Sequence, residues 1–415
     1  MPEALRRNLR PSPVGQPRRH RPDYWLIILM TLLLAIGMIV VYAISPALAV
    51  ANGTSDNYYV IHQLIAVALG TVMFAITSSI PLSHWRTMYL TLLIIAGVAT
   101  LIALMMPVNP HYPAHRWIRF GGFSFQSVEL LKFALLIWLA GFLAKRIKEG
   151  TVADMRKTLR PILITLGVVG FVVAGIQSDL GSTGVIMLMM GAMAFVAGFP
   201  MKRILLIGAA VCVLLFAAIS SSQYRRERLQ TFLNPGTHCL TTGYQVCQAL
   251  IAVGSGGATG LGLGRSVQAY GYLPEAENDS IFAIYAEKFG FLGVAGLFAL
   301  FLAFFMRIKK VAERAPDNFS RLVVIGILVW LSTQAMVNIG AMMGLLPLKG
   351  ITLPFISYGG SSVLLVMAAL GLVFQTSRYT SLSTPDVSEG GSYYENRRDG
   401  RRLRGAYHPN SGSRS

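Results

Sequence analysis

The sequence predicts an all-α, polytopic membrane protein. Of its 415 residues, 54% are hydrophobic and only 13% are charged. The mean hydropathy is +0.56, which is too high for a soluble domain. The apolar residues are collected in long runs that are almost free of charge, and about 20 apolar residues are enough for a helix to span a bilayer. We therefore predict ten transmembrane helices, with a large extracytoplasmic loop before the eighth.

The predicted spans are Tyr24–Ala49, Val60–Ile80, Met88–Pro107, Val128–Ala144, Pro161–Gln177, Leu180–Phe199, Ile204–Ser220, Ile281–Met306, Leu322–Leu346 and Leu353–Gln375. The first is too long for a cleaved signal peptide and is expected to stay as an anchor. The fourth is short and contains charged residues. The fifth and sixth are separated only by Ser178-Asp179, which predicts a sharp turn.

The orientation in the membrane follows from Lys and Arg, which favour the cytoplasmic side. Most of the 36 basic residues fall in segments that are inside if the N-terminus is inside. The segments predicted to be outside hold Arg116, Arg119, Arg225, Arg226, Arg228, Arg265 and Lys349. Both termini are therefore predicted to be cytoplasmic. The net charge of +18 then reflects topology and contact with anionic membrane lipids, and not nucleic-acid binding.

Composition divides the chain into three parts. Residues 1–22 and 379–415 are basic and have few aliphatic residues to bury, so both are predicted to be disordered cytoplasmic tails. Residues 23–378 form the predicted transmembrane domain, in which residues 221–280 are the large extracytoplasmic loop.

Acidic residues concentrate just before the eighth span. Gly271–Phe282 contains Glu275, Glu277 and Asp279, in a chain with only 18 acidic residues. A carboxylate at a membrane edge lies next to low dielectric, where burial and neighbours tune its pKa and reactivity. The alternative is a solvated turn in which Asp279 or a neighbour caps the helix.

Five other candidate residues lie in or next to the spans. Arg116 and Trp117 suit either interface anchoring or a site for a lipid headgroup or substrate phosphate. Glu129 and Lys132 share a helical face at i, i+3 and are expected to pair, because an unpaired charge in an apolar span is costly. Asp179 suits a helix N-cap, or a cavity shared with the acid at position 279.

Further candidates lie in the outer segments. Arg265 ends a glycine-rich run that lets backbone approach a ligand closely. Lys349 is the only cation of its turn and is stiffened by flanking prolines. Gln334 and Asn338 predict an inward polar stripe on the preceding helix.

Two cysteines share the large outer loop. Cys239 and Cys247 form either a disulfide, as an oxidising exterior allows, or two free thiols.

Several motifs, in order, resemble the SEDS family of membrane glycosyltransferases (shape, elongation, division and sporulation). They are R-W-I at 116–118, Q-S-V-E-L-L-K at 126–132, Q-S-D-L-G at 177–181, G-L-G-L-G-R-S-V-Q at 260–268, L-P-E-A-E-N-D-S-I-F-A at 273–283 and L-P-L-K-G-I-T-L-P-F-I-S-Y-G-G-S-S at 346–362. The resemblance covers nearly everything but the tails. The glycine-rich motif and L-P-E-A are more similar to the division branch than to the elongation branch.

The resemblance implies an inverting peptidoglycan glycosyltransferase of the bacterial cytoplasmic membrane. It implies polymerisation of lipid II onto undecaprenyl-diphosphate-linked glycan at the outer face, with a class B penicillin-binding protein and other division proteins as partners, at the division septum. No cofactor is certain, and a divalent cation (Mg²⁺ or Mn²⁺) is one candidate. The rivals are a lipid II flippase, an elongation-type polymerase and a non-catalytic scaffold.

The resemblance also assigns roles to residues. Asp279 matches the catalytic aspartate, Glu129 and Lys132 match a structural salt bridge, and Asp179 matches a second important acid. Arg265 and Lys349 match cations of the central cavity, and Arg116, Trp117 and Glu275 join them as candidates for substrate binding. This chain departs from the family where Ser127 and Ser178 replace proline and where Glu277-Asn278 replaces His-Thr.

Overall fold

The protein is built almost entirely of helices. The computed structural model describes residues 18–19, 21–106, 116–120, 123–220, 223–234, 239–241, 243–348 and 350–380. Most of the two predicted tails lies outside this range, so their disorder stays a prediction. Lys349 lies outside it as well. Apart from Arg18, the residues that the structure describes belong to one compact unit, Arg19–Thr380.

The helices are α1 (Tyr24–Asn52), α2 (Tyr58–Ser79), α3 (Leu82–Thr87), α4 (Tyr89–Met105), α5 (Ser127–Lys148), α6 (Arg160–Gly170), α7 (Leu180–Val196), α8 (Met201–Ser220), α9 (Gln223–Leu233), α10 (Tyr244–Ser255), α11 (Ile281–Glu313), α12 (Asn318–Met342) and α13 (Gly360–Ser377). Two π-helical stretches, Met155–Leu159 and Phe171–Ile176, extend α6 at both ends. The strands are β1 (Arg18–Arg19), β2 (Trp117–Phe120), β3 (Phe123–Gln126) and β4 (Tyr379–Thr380).

Every predicted span overlaps a helix, and the all-α, polytopic prediction is confirmed. Within the described residues, seven helices are long and apolar enough to cross a membrane, and α4 and α7 are shorter apolar helices. The helix α8 covers the remaining predicted span over 20 residues. The protein is therefore a multi-pass membrane protein.

Three helices form the centre of the bundle. Buried residues make up 78% of the most apolar stretch of α5, 61% of that of α12 and 83% of that of α13, against 22% in α2 and in α11. The outer helices expose many large aliphatic side chains. Such exposure suits contact with lipid tails, which are as apolar as the side chains themselves.

The structure differs from the sequence prediction in three places. The tenth span was predicted from residue 353, but α13 begins at Gly360, and residues 350–359 form an irregular loop. The helix α11 is interrupted at Gly290, where φ is 63° and ψ is −165°. The second outer loop contains an antiparallel hairpin, in which Trp117 pairs with Gln126.

Glycines allow the central elements to approach closely. A Cβ on Gly37 of α1 would lie 2.8 Å from the Cα of Ile356, and one on Gly70 of α2 would lie 2.5 Å from the Sδ of Met367 on α13. Small residues at such crossings let backbones pack together in a membrane, where lipid supplies no hydrophobic driving force. Gly37 therefore fixes α1 against the irregular loop before α13.

We expect Gly37→Ala to destabilise the protein, because the new methyl group would overlap the backbone of Phe355 and Ile356. Overpacking of this kind costs about 1–3 kcal/mol. The measurement is the thermal unfolding midpoint of the detergent-solubilised protein. The matched control is Gly97→Ala on α4, where a Cβ meets nothing within 4 Å and the midpoint should hardly move. Equal midpoints for the two variants would contradict the close approach.

Candidate active site

The acidic segment before α11 forms a tight turn. Glu275 has φ of 51°, a left-handed conformation that is uncommon for residues other than glycine. Its carbonyl oxygen accepts hydrogen bonds from the backbone N–H of Asn278 (3.0 Å) and of Ser280 (3.1 Å). Its carboxylate accepts from Nδ2 of Asn278 at 2.5 Å. These bonds fix the backbone on both sides of Asp279, and they give Glu275 a role in the turn itself.

Asn338 of α12 is hydrogen-bonded to the acidic turn. Its Nδ2 donates to the carbonyl oxygen of Asp279 and to that of Ile351, both at 2.7 Å. Asp279 also borders a small cleft lined by Val337, Asn338, Ala341, Met342, Leu348, Gly350 and Ile351. One side chain of the predicted polar stripe thus joins the acidic turn to the loop before α13.

That loop also bonds to the turn directly. The backbone N–H of Tyr358 donates to the carbonyl oxygen of Glu277 at 2.8 Å. The hydroxyl of Ser357 donates to the carbonyl oxygen of Asn278 at 2.6 Å. The two irregular segments therefore supply each other with hydrogen-bond partners, as polar backbone near a membrane must.

Arg116 is fixed at the sharp turn between α6 and α7. Its guanidinium donates to the carbonyl oxygens of Gln177 (3.2 Å) and Ser178 (2.6 Å), and its Nη1 lies 4.0 Å from Oδ2 of Asp179. The turn is confirmed, with φ of 53° at Ser178. Asp179 is buried, and its side chain accepts from the backbone N–H of Ser182 at 3.0 Å, so it is also the predicted N-cap of α7.

Two of the predicted site residues lie next to Gly350. A Cβ placed on Gly350 would lie 3.6 Å from Oδ2 of Asp279 and 4.0 Å from Nη1 of Arg116. Asp179 lies against the same guanidinium. The structure therefore brings a carboxylate and a cation to one small space, next to the backbone of a residue that has no side chain to fill it.

A buried ion pair on α5 is connected to this site by hydrogen bonds. Nζ of Lys132 donates to Oε1 of Glu129 at 2.7 Å and to Oε1 of Gln334 at 3.0 Å. Nε2 of Gln334 in turn donates to the carbonyl oxygen of Thr352 at 3.1 Å. The expected pairing of Glu129 and Lys132 is present, and the network links α5 through α12 to the loop that carries Gly350.

Two other predicted substrate-binding residues are at least partly exposed. Arg265 is exposed in the glycine-rich segment, and Trp117 is partly exposed at the start of β2. Their roles, and that of Lys349, stay predictions. Sequence reasoning missed Ser357 and Tyr358, although both belong to the I-S-Y-G-G stretch of the longest motif.

Cys239 and Cys247 are joined by a disulfide, with their Cα atoms 5.5 Å apart. The bond ties residues 239–241 to α10, and the two thiols are therefore not free. Within the described residues, no three Asp, Glu, His or Cys side chains converge as metal ligands. A divalent cation at this site stays a prediction.

The environment of Glu277 favours its neutral form. Burial is the larger cause and the nearby Glu275 adds to it, and together they raise the pKa of Glu277 from its ordinary value of 4.5 to about 7. The residue sits where the family usually has histidine. Glu277 is therefore a second titratable carboxyl in the turn, one that changes charge near neutral pH.

These features define a multi-pass membrane protein with a polar site at one end of its central helices. Residues 24–382 match the cell cycle protein family of FtsW, RodA and SpoVE, and the chain belongs to this family. It is 36% identical to a probable peptidoglycan glycosyltransferase FtsW of Coxiella burnetii, over 86% of this chain and 96% of the relative. It is 35% identical to stage V sporulation protein E of Bacillus subtilis, over 88% of this chain and 99% of the relative.

A solved structure has the same fold. It is described as the structural coordination of polymerization and crosslinking by a peptidoglycan synthase complex. The matching chain has a TM-score of 0.69 and 28% sequence identity, and the match covers 86% of this chain and 98% of that one. The SEDS membership predicted from the motifs is confirmed.

We expect Lys132→Met to destabilise the protein strongly, because it leaves Glu129 buried without its cation. Breaking a buried ion pair in this way costs about 3–5 kcal/mol. Removing both charges, in Glu129→Gln/Lys132→Met, should restore much of the stability. Thermal unfolding in detergent checks this, with Lys145→Met as the control, because the pair of Lys145 with Glu149 is exposed and such pairs contribute about 0–1 kcal/mol. A double variant as unstable as Lys132→Met would contradict the pairing argument.

We expect Glu277→Gln to stabilise the protein at pH 8 but not at pH 5. Because the pKa of Glu277 in the folded protein is raised above its ordinary value, the fold keeps a proton that the unfolded chain releases, and stability falls as pH rises from about 4.5 to about 7. The amide removes this penalty, which is on the order of 1–3 kcal/mol. Unfolding midpoints at the two pH values measure the effect. A gain of equal size at both would show that burial does not govern this carboxyl.

Proposed function

We propose that this protein is a peptidoglycan glycosyltransferase that polymerises lipid II into glycan strands at the outer face of the cytoplasmic membrane. Family membership and the name of the Coxiella burnetii relative support the enzyme class, in agreement with the sequence prediction. The observation that carries the proposal is the meeting of Asp279 and Arg116 at Gly350. A carboxylate for proton transfer and a cation for a departing diphosphate are what this reaction needs.

In the proposed reaction, Asp279 removes the proton from the 4-hydroxyl of the acceptor sugar. The hydroxyl oxygen forms a bond to the anomeric carbon of the lipid-linked chain from the face opposite the leaving group. The bond from that carbon to the diphosphate oxygen breaks, so the configuration inverts and undecaprenyl diphosphate leaves with the electron pair. Asp279 ends the step protonated and returns its proton to solvent.

Arg116 is the described cation best placed to meet the leaving diphosphate. Two carbonyl oxygens hold its guanidinium before any substrate arrives, and a preorganised cation stabilises developing charge without reorganising during the reaction. Arg265 and Lys349 are proposed as further cations, with Trp117 and Glu275 as substrate contacts. A metal ion would be an addition to this set, and no step here is routed through one.

The proposed setting is the division septum, with both termini in the cytoplasm. The solved complex couples polymerization to crosslinking, which supports a transpeptidase of the class B penicillin-binding proteins as the partner of this chain too. One relative is named stage V sporulation protein E, so a role in sporulation is the alternative to the division assignment. Septal localisation of a tagged copy in dividing cells, as opposed to dispersed patches, tests the division assignment.

A flippase is the rival class, and the intramembrane charges favoured it. In the structure, however, Lys132 is bound by Glu129 and Gln334, and Lys288 donates to a backbone carbonyl at 2.7 Å. These charges hold helices and loops together. Within the described residues these charges are bound to protein groups, which favours the polymerase proposal over the flippase.

We expect Asp279→Asn to abolish polymerisation, because the amide keeps the size of the side chain but cannot accept the proton. Loss of a general base lowers a rate by about 10²–10⁴-fold. The assay is glycan polymer formed from lipid II by the purified protein with its transpeptidase partner in detergent, where flipping has no meaning.

The matched control for this experiment is Asp154→Asn. Asp154 caps a helix by accepting from the backbone N–H groups of Arg156 and Lys157, and asparagine caps equally well. Polymer formation should then be unchanged. Normal polymer from Asp279→Asn would reject Asp279 as the base, and no polymer from the wild-type complex would reject the polymerase proposal itself.

A further inference from the structure

Two buried charges on α11 lie outside the site described above. Glu287 and Lys288 are 1% and 2% exposed, and they are neighbours in a predominantly apolar helix. A buried charge in a membrane protein is costly unless it is paired or hydrogen-bonded, so what these two side chains bind indicates their purpose.

Glu287 binds the segment that follows Arg265. Its Oε1 accepts from the backbone N–H of Val267 (2.9 Å) and of Gln268 (3.2 Å), and its Oε2 accepts from the hydroxyl of Ser266. Three donors on one carboxylate leave it well satisfied despite its burial. The three residues directly after Arg265 are thus tied to one side chain.

Lys288 binds the segment that precedes Arg265. Its Nζ donates to the carbonyl oxygen of Leu263 at 2.7 Å. The backbone of α11 adds to this, since its carbonyl oxygens at Glu287 and Lys288 accept from the N–H groups of Leu261 (2.9 Å) and Gly262 (3.0 Å). The loop Leu261–Gln268, here called the Arg265 loop, is therefore held on both flanks while Arg265 itself stays exposed.

The interruption of α11 makes these contacts possible. At Gly290 the helix is broken, and the N–H groups of Phe291 and Leu292 donate to the carbonyl oxygens of Gly257 (2.8 Å) and Ala258 (3.0 Å). A Cβ on Gly290 would lie 2.8 Å from the carbonyl carbon of Ala258, so only glycine allows the approach. Carbonyl oxygens of the glycine-rich run thus accept backbone hydrogen bonds that, in a continuous helix, carbonyl oxygens of the helix itself would accept.

We infer that Glu287 and Lys288 are positioning residues that set where Arg265 stands relative to Asp279. The helical segment Ile281–Phe289 begins directly after Ser280 of the acidic turn and carries this pair of charges just before its last residue. One short helical segment therefore carries Asp279 at its start and the Arg265 loop at its end. The part played in catalysis rests on the proposed function, whereas the clamping of the loop does not.

The first test measures the loop without any assay of activity. Hydrogen–deuterium exchange of the detergent-solubilised full chain should become on the order of tenfold faster in the Arg265 loop in Glu287→Gln, with α12 unchanged, because local stability governs exchange. Lys288→Met should act in the same direction. The matched controls are Glu313→Gln and Lys309→Met, which alter an exposed pair at the far end of the same helix.

A milder variant covers the case in which Glu287→Gln does not fold. Ser266→Ala removes one hydroxyl donor and leaves the helix untouched. It should raise exchange in the same loop by a smaller factor. Unchanged exchange in the Arg265 loop, in Ser266→Ala and in whichever α11 variant folds, would overturn the inference.

The second test asks whether Glu287 acts through Arg265. Glu287→Gln should slow lipid II polymerisation by about 10–10²-fold, since a displacement of 1 Å is enough for such a loss. In an Arg265→Gln background, the same change should have little further effect. Fully multiplicative effects would overturn the positioning role. If the wild type forms no polymer, the proposed function fails, and the exchange experiment still decides whether the loop is clamped.

Discussion

The site depends on two irregular segments that satisfy each other's backbone. Residues 350–359 interrupt what would otherwise be a longer α13, and the acidic turn precedes α11. Non-helical backbone near a bilayer is stable only where protein groups replace the missing hydrogen bonds. The bonds from Tyr358 to Glu277 and from Ser357 to Asn278 do this, and Asn338 completes them. The position of Asp279 is therefore a tertiary property, because neither segment could hold it alone.

Buried charges are used in a consistent way in this bundle. Lys132 reaches the loop before α13 through Gln334, and Glu287 and Lys288 hold the Arg265 loop. In each case a charge on a helix is satisfied partly by polar groups outside that helix. An ion attracts several donors or acceptors at once, so one side chain can fix several loop residues, which an apolar contact cannot do. Because a buried charge without hydrogen-bond partners is costly in free energy, the loop residues that bond to it are held in one position.

The sequence was sufficient wherever a local rule governs structure. Hydropathy predicted ten spans, each of which overlaps a helix, because spanning a bilayer imposes a length on each helix. The spacing of Glu129 and Lys132 predicted their contact, since residues at i, i+3 are neighbours on a helix. The turn at Ser178-Asp179 followed from the lack of chain between two spans.

Features that depend on contacts between residues far apart in the chain could not be predicted from the sequence. The interruption at Gly290 is compensated by Gly257 and Ala258, which no local pattern connects to it. The late start of α13 has the same origin, because its preceding residues bond to the acidic turn. Asp179 shows a different limit. Sequence reasoning treated a helix cap and a place in the site as alternatives, whereas the buried carboxylate both caps α7 and faces Arg116.

In the proposed reaction, the arrangement around Arg116 suits a charge that appears only as the diphosphate leaves. Its firm contacts are with two neutral carbonyl oxygens, and its carboxylate neighbour, Asp179, is 4.0 Å away. A bidentate ion pair would already neutralise the guanidinium, and a substrate would have to displace that partner. Held mainly by carbonyl groups, Arg116 keeps its charge available while its position is fixed. In the proposed reaction, Asp279 would accept the proton and Arg116 would stabilise the departing diphosphate, and both lie beside Gly350, which has no side chain to fill the space there.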